Sequence, residues 1–342
     1  MSKPVSAAPR TTIDAMHGRS SAATSTVGMS PPAPVDRLPS IDAPLPPAVA
    51  ARASDAGVAK AGLGAPNTFV LAVLAGAFIA LGAMFSTVVT AGMSEVPFGL
   101  VRLTGGIAFS LGLILVVVAG AELFTGNNLI VMAWADRRIS LGRLLRNWGI
   151  VYVGNLVGAV ATAVIVLAGR QYEFGDGAVG INALAIAQHK VDLGFGQAFA
   201  LGVLCNALVC LAIWLTYAAR SVTDKILAIL FPITAFVAAG FEHSIANMYF
   251  LPIAVVLRDS ASDDFWSSAG AQRGDYADLT WTAFAENLAT VTLGNVVGGA
   301  LLVAAVYWLV YRYRLGAEEP PPGTTLPVER IPTDGTSGRN AA

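Results

Sequence analysis

The sequence predicts an all-α membrane protein of six transmembrane helices in two repeated halves, with the second and fifth helices broken. Three observations carry this expectation. The chain is 55% hydrophobic and only 13% charged over 342 residues, a balance that marks a polytopic membrane protein and not a soluble domain of this length. Six apolar stretches are each long enough for the ~20 residues a helix needs to cross the hydrocarbon core. Two of them are interrupted by polar residues in matching order, Gly120-Ala121-Glu122-Leu123-Phe124-Thr125-Gly126-Asn127 and Gly240-Phe241-Glu242-His243-Ser244-Ile245-Ala246-Asn247.

Residues 1–60 are rich in Ala, Pro, Ser and Thr without hydrophobic periodicity, and read as a disordered N-terminal tail. They lack the apolar stretch of a signal peptide. The first span is expected over 68–90. The second, 103–135, is interrupted at 122–127. The third covers 144–167 and the fourth 195–217. The fifth, 225–257, breaks around Gly240, where a carboxylate and an imidazole lie near the middle of the apolar run. Ionisable groups at that depth face a cavity or a pathway, and broken backbone there is tolerated only where it is buried in protein or lines water. The sixth span is 284–311. The membrane domain therefore runs over 61–315, with a second disordered tail over 316–342. A further echo follows each break: Asn147, Gly154-Asn155 and Gly158 recur as Asn287, Gly294-Asn295 and Gly298. Interrupted segments in corresponding places of two halves point to an inverted repeat with its site between them.

Most of the 21 basic residues fall on the side that carries both termini, including Arg137, Arg138, Arg143, Arg146, Arg220 and Lys225. The positive-inside rule places both termini in the cytoplasm of a multi-pass protein of the inner (plasma) membrane. The loop after the fifth span holds Asp259, Asp263, Asp264, Asp275 and Asp278, which suits an outer face. A net charge of −1 leaves no footprint for nucleic acid. Cys205 and Cys210 point in different directions on one helix and read as packing residues.

His243 is the one histidine of three expected at membrane depth, with His17 in the tail and His189 in a loop. A bis-histidine haem or a zinc site built on several histidines is therefore not expected, and no cofactor or metal is assigned. A neutral imidazole can donate to a passing anion and exchange a proton near physiological pH, although a histidine merely satisfied by packing has the same residue type. Glu242 and Asn247 either orient His243 or cap the second half-helix, and Glu122 and Asn127 carry the same pair of readings. Phe109, Leu113, Leu123, Phe124, Val209 and Phe236 are packing residues by type. Asn206, inside the fourth span, needs a partner on a neighbouring helix. Lys190, just before that span, reads as an interfacial lysine.

Four segments then combine: Gly120-Ala-Glu-Leu-Phe-Thr125; Asn147 through Gly-Asn-Leu-Val-Gly158; Leu204-Cys-Asn-Ala-Leu-Val-Cys-Leu-Ala-Ile-Trp214; and Gly240-Phe-Glu-His-Ser-Ile-Ala-Asn-Met248. Together with Leu251-Pro-Ile-Ala-Val-Val-Leu-Arg-Asp259 and Phe265-Trp266, they resemble the formate–nitrite transporter family, and within it the formate channels, over about residues 58–315. The resemblance implies an aquaporin-like six-helix (3+3) protomer, a homo-pentamer with one pore per protomer, and no enzyme activity. It implies a central His243 supported by Glu242 and Asn247, a loop threonine at Thr125, and an inner slit of Leu123, Phe124 and Val209 beside Asn206. It further implies an outer constriction of Phe109, Leu113 and Phe236, and Lys190 in the outer vestibule. Gly126-Asn127-Asn128 is less typical of the formate channels. The partners implied are a small monovalent anion such as formate, protons and the lipid bilayer. Nitrite, hydrosulfide, acetate and lactate are the competing cargoes. A neutral-solute aquaporin would carry Asn-Pro-Ala tripeptides, and the chain has none. A membrane enzyme would need paired catalytic groups or cofactor ligands, against which the lone histidine argues.

Overall fold

A computed structural model describes residues 42–313, and every regular element among them is helical. Helix α1 (Pro46–Gly62) opens on a proline, whose missing N–H costs nothing at the first helical position. Helix α2 (Ala65–Thr90) has a proline in its first turn too. Helix α3 (Phe98–Ala119) stops at Gly120, whose φ of 83° lies in the left-handed region. The Ala121 N–H then donates back to the Val116 carbonyl at 2.9 Å, a closure that favours a residue without a Cβ. The chain continues irregularly into a short 3-10 turn (Gly126–Ile130) and helix α4 (Val131–Ala135). Helix α5 (Leu141–Ala168) is capped by the Ser140 hydroxyl.

The second half begins with α6 (Ala178–Val191) and α7 (Phe195–Ala218). Helix α8 (Val222–Ala238) starts on a capping box between Ser221 and Asp224. It ends before Gly240, with φ 74°, where the Phe241 N–H donates to the Phe236 carbonyl at 3.0 Å. This is the closure seen at Gly120. After the irregular residues comes α9 (Ser244–Ser260), then the short α10 (Asp263–Ala269) and α11 (Trp281–Val296). A π-helical stretch (Val297–Ala305), α12 (Val306–Trp308) and a second π stretch (Leu309–Tyr313) prolong α11.

Five helical runs among the described residues are long and apolar enough to cross a membrane: α2, α3, α5, α7 and Arg273–Tyr313. The stretch 225–257 is not among them, because it lies in two helices of 17 residues each, α8 and α9.

The reading of residues 1–60 as a disordered tail is corrected over its last part, because residues 46–62 form α1. Val49, Ala50 and Ala53 of this helix are buried with Ile130, Met132 and Ala133. Docking of a small-residue face, and not a strong apolar stripe, holds it, so composition alone pointed the other way. Residues 1–41 and 314–342, which hold the rest of the two expected tails, lie outside the described residues.

The halves close on themselves through small residues. A Cβ on Gly158 would come within 1.9 Å of the Val73 carbonyl, and one on Gly298 within 2.0 Å of the Val203 carbonyl. Helices α2 and α5, and likewise α7 and the continuation of α11, therefore meet backbone to backbone. That contact leaves the two irregular segments, 120–125 and 239–243, wrapped in helix. Glu122, Thr125, Glu242 and His243 are all buried there.

Candidate functional site

The same set of side chains holds each break. In the first, Lys60 Nζ donates to Glu122 Oε1 at 2.6 Å, and Asn127 Nδ2 donates to Glu122 Oε2 at 2.7 Å and to Asn147 Oδ1 at 2.9 Å. In the second, Lys190 Nζ donates to Glu242 Oε1 at 2.8 Å, and Asn247 Nδ2 donates to Glu242 Oε2 at 2.7 Å and to Asn287 Oδ1 at 2.8 Å. Each frame closes when the Asn147 or Asn287 amide donates to the carbonyl of its lysine. A further asparagine braces the backbone. Asn155 accepts from the Phe124 N–H and donates to the Ala72 and Glu122 carbonyls. Asn295 accepts from the Ser244 N–H and donates to the Gly202 and Glu242 carbonyls. A buried carboxylate is tolerated when it is both paired and hydrogen-bonded, and both glutamates meet that condition.

Between the frames, Thr125 Oγ1 and His243 Nε2 lie 2.9 Å apart. His243 is the N-cap of α9, and its Nδ1 accepts from the Ala246 N–H at 3.1 Å. A backbone N–H can only donate, so Nδ1 is the bare nitrogen and the ring proton sits on Nε2. The imidazole is thus held neutral as an Nε2–H donor aimed at the threonine hydroxyl. Protonating Nδ1 would set two donors against each other. The Phe236 ring stacks near the imidazole with centroids 5.9 Å apart, and Phe109 meets Phe236 edge-on at 5.5 Å.

A cavity of about 290 Å³ reaches His243 from the α6 side. Its lining includes Arg102, Phe109, Lys190, Phe236, Glu242 and His243. The other expected site residues lie outside that lining. Leu113, Leu123, Phe124 and Val209 are buried in the central hydrophobic cluster with Phe109 and Phe236, and the Phe124 ring meets Trp148 and Tyr152 edge-on. Asn206 is fully buried, and its Nδ2 donates to Asn128 Oδ1 and to the Asn295 carbonyl.

Three placements depart from the sequence reading. His189 lies in the last turn of α6 and lines the cavity, not in a loop. Lys190 is ion-paired with Glu242 and its side chain is only 11% exposed, which is not the position of an interfacial anchor. Lys60, assigned to the tail, pairs with Glu122. The signal for Lys60 was present: it precedes α2 at the interval by which Lys190 precedes α7. Arg102 was also missed. Its Nε and Nη2 donate to the Ala238 and Val237 carbonyls and so hold the end of α8. Among the described residues, no group of three His, Cys, Asp or Glu side chains forms a metal-binding cluster.

Residues 47–309 match the family model described as formate/nitrite transporter. The chain is 47% identical over 268 residues to the formate channel FocA of Escherichia coli (strain K12), covering 78% of this chain and 94% of that protein. It is 41% identical over 237 residues to the formate channel FocA of Haemophilus influenzae (strain ATCC 51907 / DSM 11121 / KW20 / Rd), covering 69% and 84%. Among solved structures, a pentameric formate channel with formate bound superposes with a TM-score of 0.70 at 50% identity, covering 72% of this chain and 97% of that one. An FNT family ion channel superposes with a TM-score of 0.66 at 28% identity, covering 77% and 98%.

Proposed function

We propose that this chain, which belongs to the formate/nitrite transporter family, is a membrane channel that conducts formate and related small monovalent anions. The observation that carries the reading is the Thr125–His243 pair, buried between the two matched Lys–Glu–Asn–Asn frames. A pathway through it would run from the cavity past Phe109, Leu113 and Phe236, across Thr125 and His243, and out past Leu123, Phe124 and Val209 beside Asn206. Six spans in a 3+3 inverted repeat fit this path. In that arrangement α3 with α4, and α8 with α9, each form one interrupted span, and the matched hydrogen bonds of the two frames support it. A homo-pentamer in the inner membrane, with 61–315 as the channel domain and both termini cytoplasmic, completes the proposal. The pentamer of the formate-bound relative and the basic inner loops support these parts.

Passage of a bare anion through an apolar ring is prohibitively costly. Low dielectric raises the pKa of a carboxylic acid, so uptake of a proton becomes easier as the substrate leaves the vestibule. His243 would meet it as a neutral donor, its Nε2–H exchanging Thr125 for a substrate oxygen. With Nδ1 occupied by the Ala246 N–H, the proton that neutralises the substrate is taken up from hydronium in the vestibule and not from an imidazolium. The cargo crosses largely as the acid.

The test is stopped-flow uptake into proteoliposomes, with formate, nitrite, hydrosulfide, acetate and lactate in competition and with an imposed pH step. Formate uptake that rises with an inward proton gradient is the expected result. Uptake indifferent to the gradient would remove proton coupling and leave anion conduction with His243 as a fixed donor. His243→Ala that moved formate with wild-type rate and pH dependence would remove the histidine from the mechanism.

A further inference from the structure

The two frames match, but two buried amides have no counterpart. Asn128 and Asn206 are fully buried and take no part in either Lys–Glu frame. Asn128 Nδ2 donates to the Phe124 carbonyl at 3.1 Å, on the first break. Its Oδ1 accepts from Asn206 Nδ2 at 3.0 Å, and that same nitrogen donates to the Asn295 carbonyl at 2.7 Å. Asn295 in turn holds the second break at Glu242 and Ser244. A continuous chain of hydrogen bonds thus runs from Phe124, through two side-chain amides, to Asn295 beside the second break. Both hydrogens of the Asn206 amide are used, so its plane is fixed. Gly299 makes the room: a Cβ there would fall 2.3 Å from Asn206 Nδ2 and 2.9 Å from Asn128 Cβ.

The repeat supplies no such link on the other side. The position that matches Asn206, by the offset of Lys60 from Lys190, is Gly76. The position that matches Asn128, by the offset of Glu122 from Glu242, is Met248. Gly76 has no side chain, and a Cβ on it would lie 2.0 Å from the Asn155 carbonyl oxygen. The relay therefore braces only the side of the pathway that carries Leu123, Phe124 and Val209.

We propose that Asn128 is a positioning residue for the inner slit. By holding the Phe124 backbone to Asn206 and Asn295, it fixes the aperture and so the largest anion that passes. This rests on the reading of the chain as an anion channel. Leu has nearly the shape of Asn and lacks its hydrogen bonds, so Asn128→Leu frees Phe124 and Asn206 without opening a cavity. The readout is the ratio of acetate to formate permeability per assembled channel in proteoliposomes. Each buried hydrogen bond lost shifts a conformational equilibrium roughly fivefold; Asn128→Leu removes two, so the ratio should rise by at least about fivefold. Gly299→Ala pushes on the same amides from another helix and should move the ratio in the same direction. The double variant Asn128→Leu/Asn206→Leu should change the ratio no further than Asn206→Leu alone, because either substitution already cuts the chain between Phe124 and Asn295. A merely structural role would lower the yield of assembled protein and leave the ratio unchanged. Wild-type protein that moves no formate would overturn the channel reading itself. Wild-type formate transport with an unaltered ratio in assembled Asn128→Leu would overturn the relay. If that variant does not assemble, an unaltered ratio in Gly299→Ala overturns it equally.

Discussion

Lys190→Met removes the ammonium from a carboxylate that is only 2% exposed. Glu242 keeps the Asn247 amide at 2.7 Å but loses its ion-pair partner, the Lys190 Nζ at 2.8 Å. Breaking a buried pair from one side costs about 3–5 kcal/mol, because the remaining charge is left uncompensated. A methionine of similar length keeps the packing, so the loss is electrostatic and not a cavity. Neutralising both members, Lys190→Met with Glu242→Gln, should recover most of it, since a Gln carbonyl still accepts from Asn247. Thermal unfolding of the purified assembly, read by loss of the oligomer on a sizing column, measures the order: wild type above the double variant, and the double variant above Lys190→Met. Transport should follow. The uncompensated carboxylate lies beside His243 in sequence and lines the same cavity, so it repels anions at the entrance to the constriction. Being buried, it is poorly screened, and raising the salt should restore little of the uptake. A single variant as stable as wild type, or a double variant no better than the single, would refute the paired-frame account of Lys190. Strong rescue by salt would mean instead that Lys190 acts as a free cation in water.

Two further outcomes follow from α1. Its Ser54 hydroxyl donates to Asp136 at 2.6 Å, and Trp308 and Arg312 donate to the same carboxylate. Burial alone would raise the Asp136 pKa, but the Ser54, Arg312 and Trp308 hydrogen bonds outweigh it and hold the group below the usual carboxylate range. A depressed folded-state value contributes stability above the unfolded pKa of about 4, lost as the pH falls through the folded value. Asp136→Asn should therefore lower stability by roughly 2 kcal/mol at neutral pH and flatten its acid dependence below about pH 4; an unchanged acid limb in thermal melts would contradict this. Deleting residues 1–40 should leave assembly and conduction intact, whereas deleting 1–62 strips Lys60 from Glu122 and should cost assembly or stability. Equal behaviour of the two truncations would show that α1 contributes nothing.

Both irregular segments, 120–125 and 239–243, were legible in the sequence because a glycine, a carboxylate and an asparagine recur at one spacing inside apolar runs. Glu and Asn at that depth must find partners, and the echo of Asn147 and Asn155 in Asn287 and Asn295 named part of the set. The partners that completed each frame were not legible. Lys60 belongs to an Ala-rich helix whose face is buried by docking, and its composition matches an unstructured tail. Asn128 was read only as a departure from the formate-channel pattern, because its hydrogen bonds reach Asn206 and Asn295 across the fold. Lys190 beside a span has the sequence appearance of an interfacial anchor, and only the approach of α9 turns it toward Glu242. Short-range spacing survives in a string of letters; contacts made by folding the halves around each other do not.

Each frame holds one ammonium and one carboxylate, so neither frame carries a net charge, and the inverted repeat proposed above would set these two neutral units at opposite ends of the Thr125–His243 pair. In that arrangement a substrate entering from either face passes a Lys–Glu–Asn–Asn frame of nearly the same dipoles. A conductor built this way has no diode in it. Uptake and release in proteoliposomes should run at equal rates for equal gradients imposed in either direction, and the direction of net flux would be decided by which compartment makes the substrate and which consumes it.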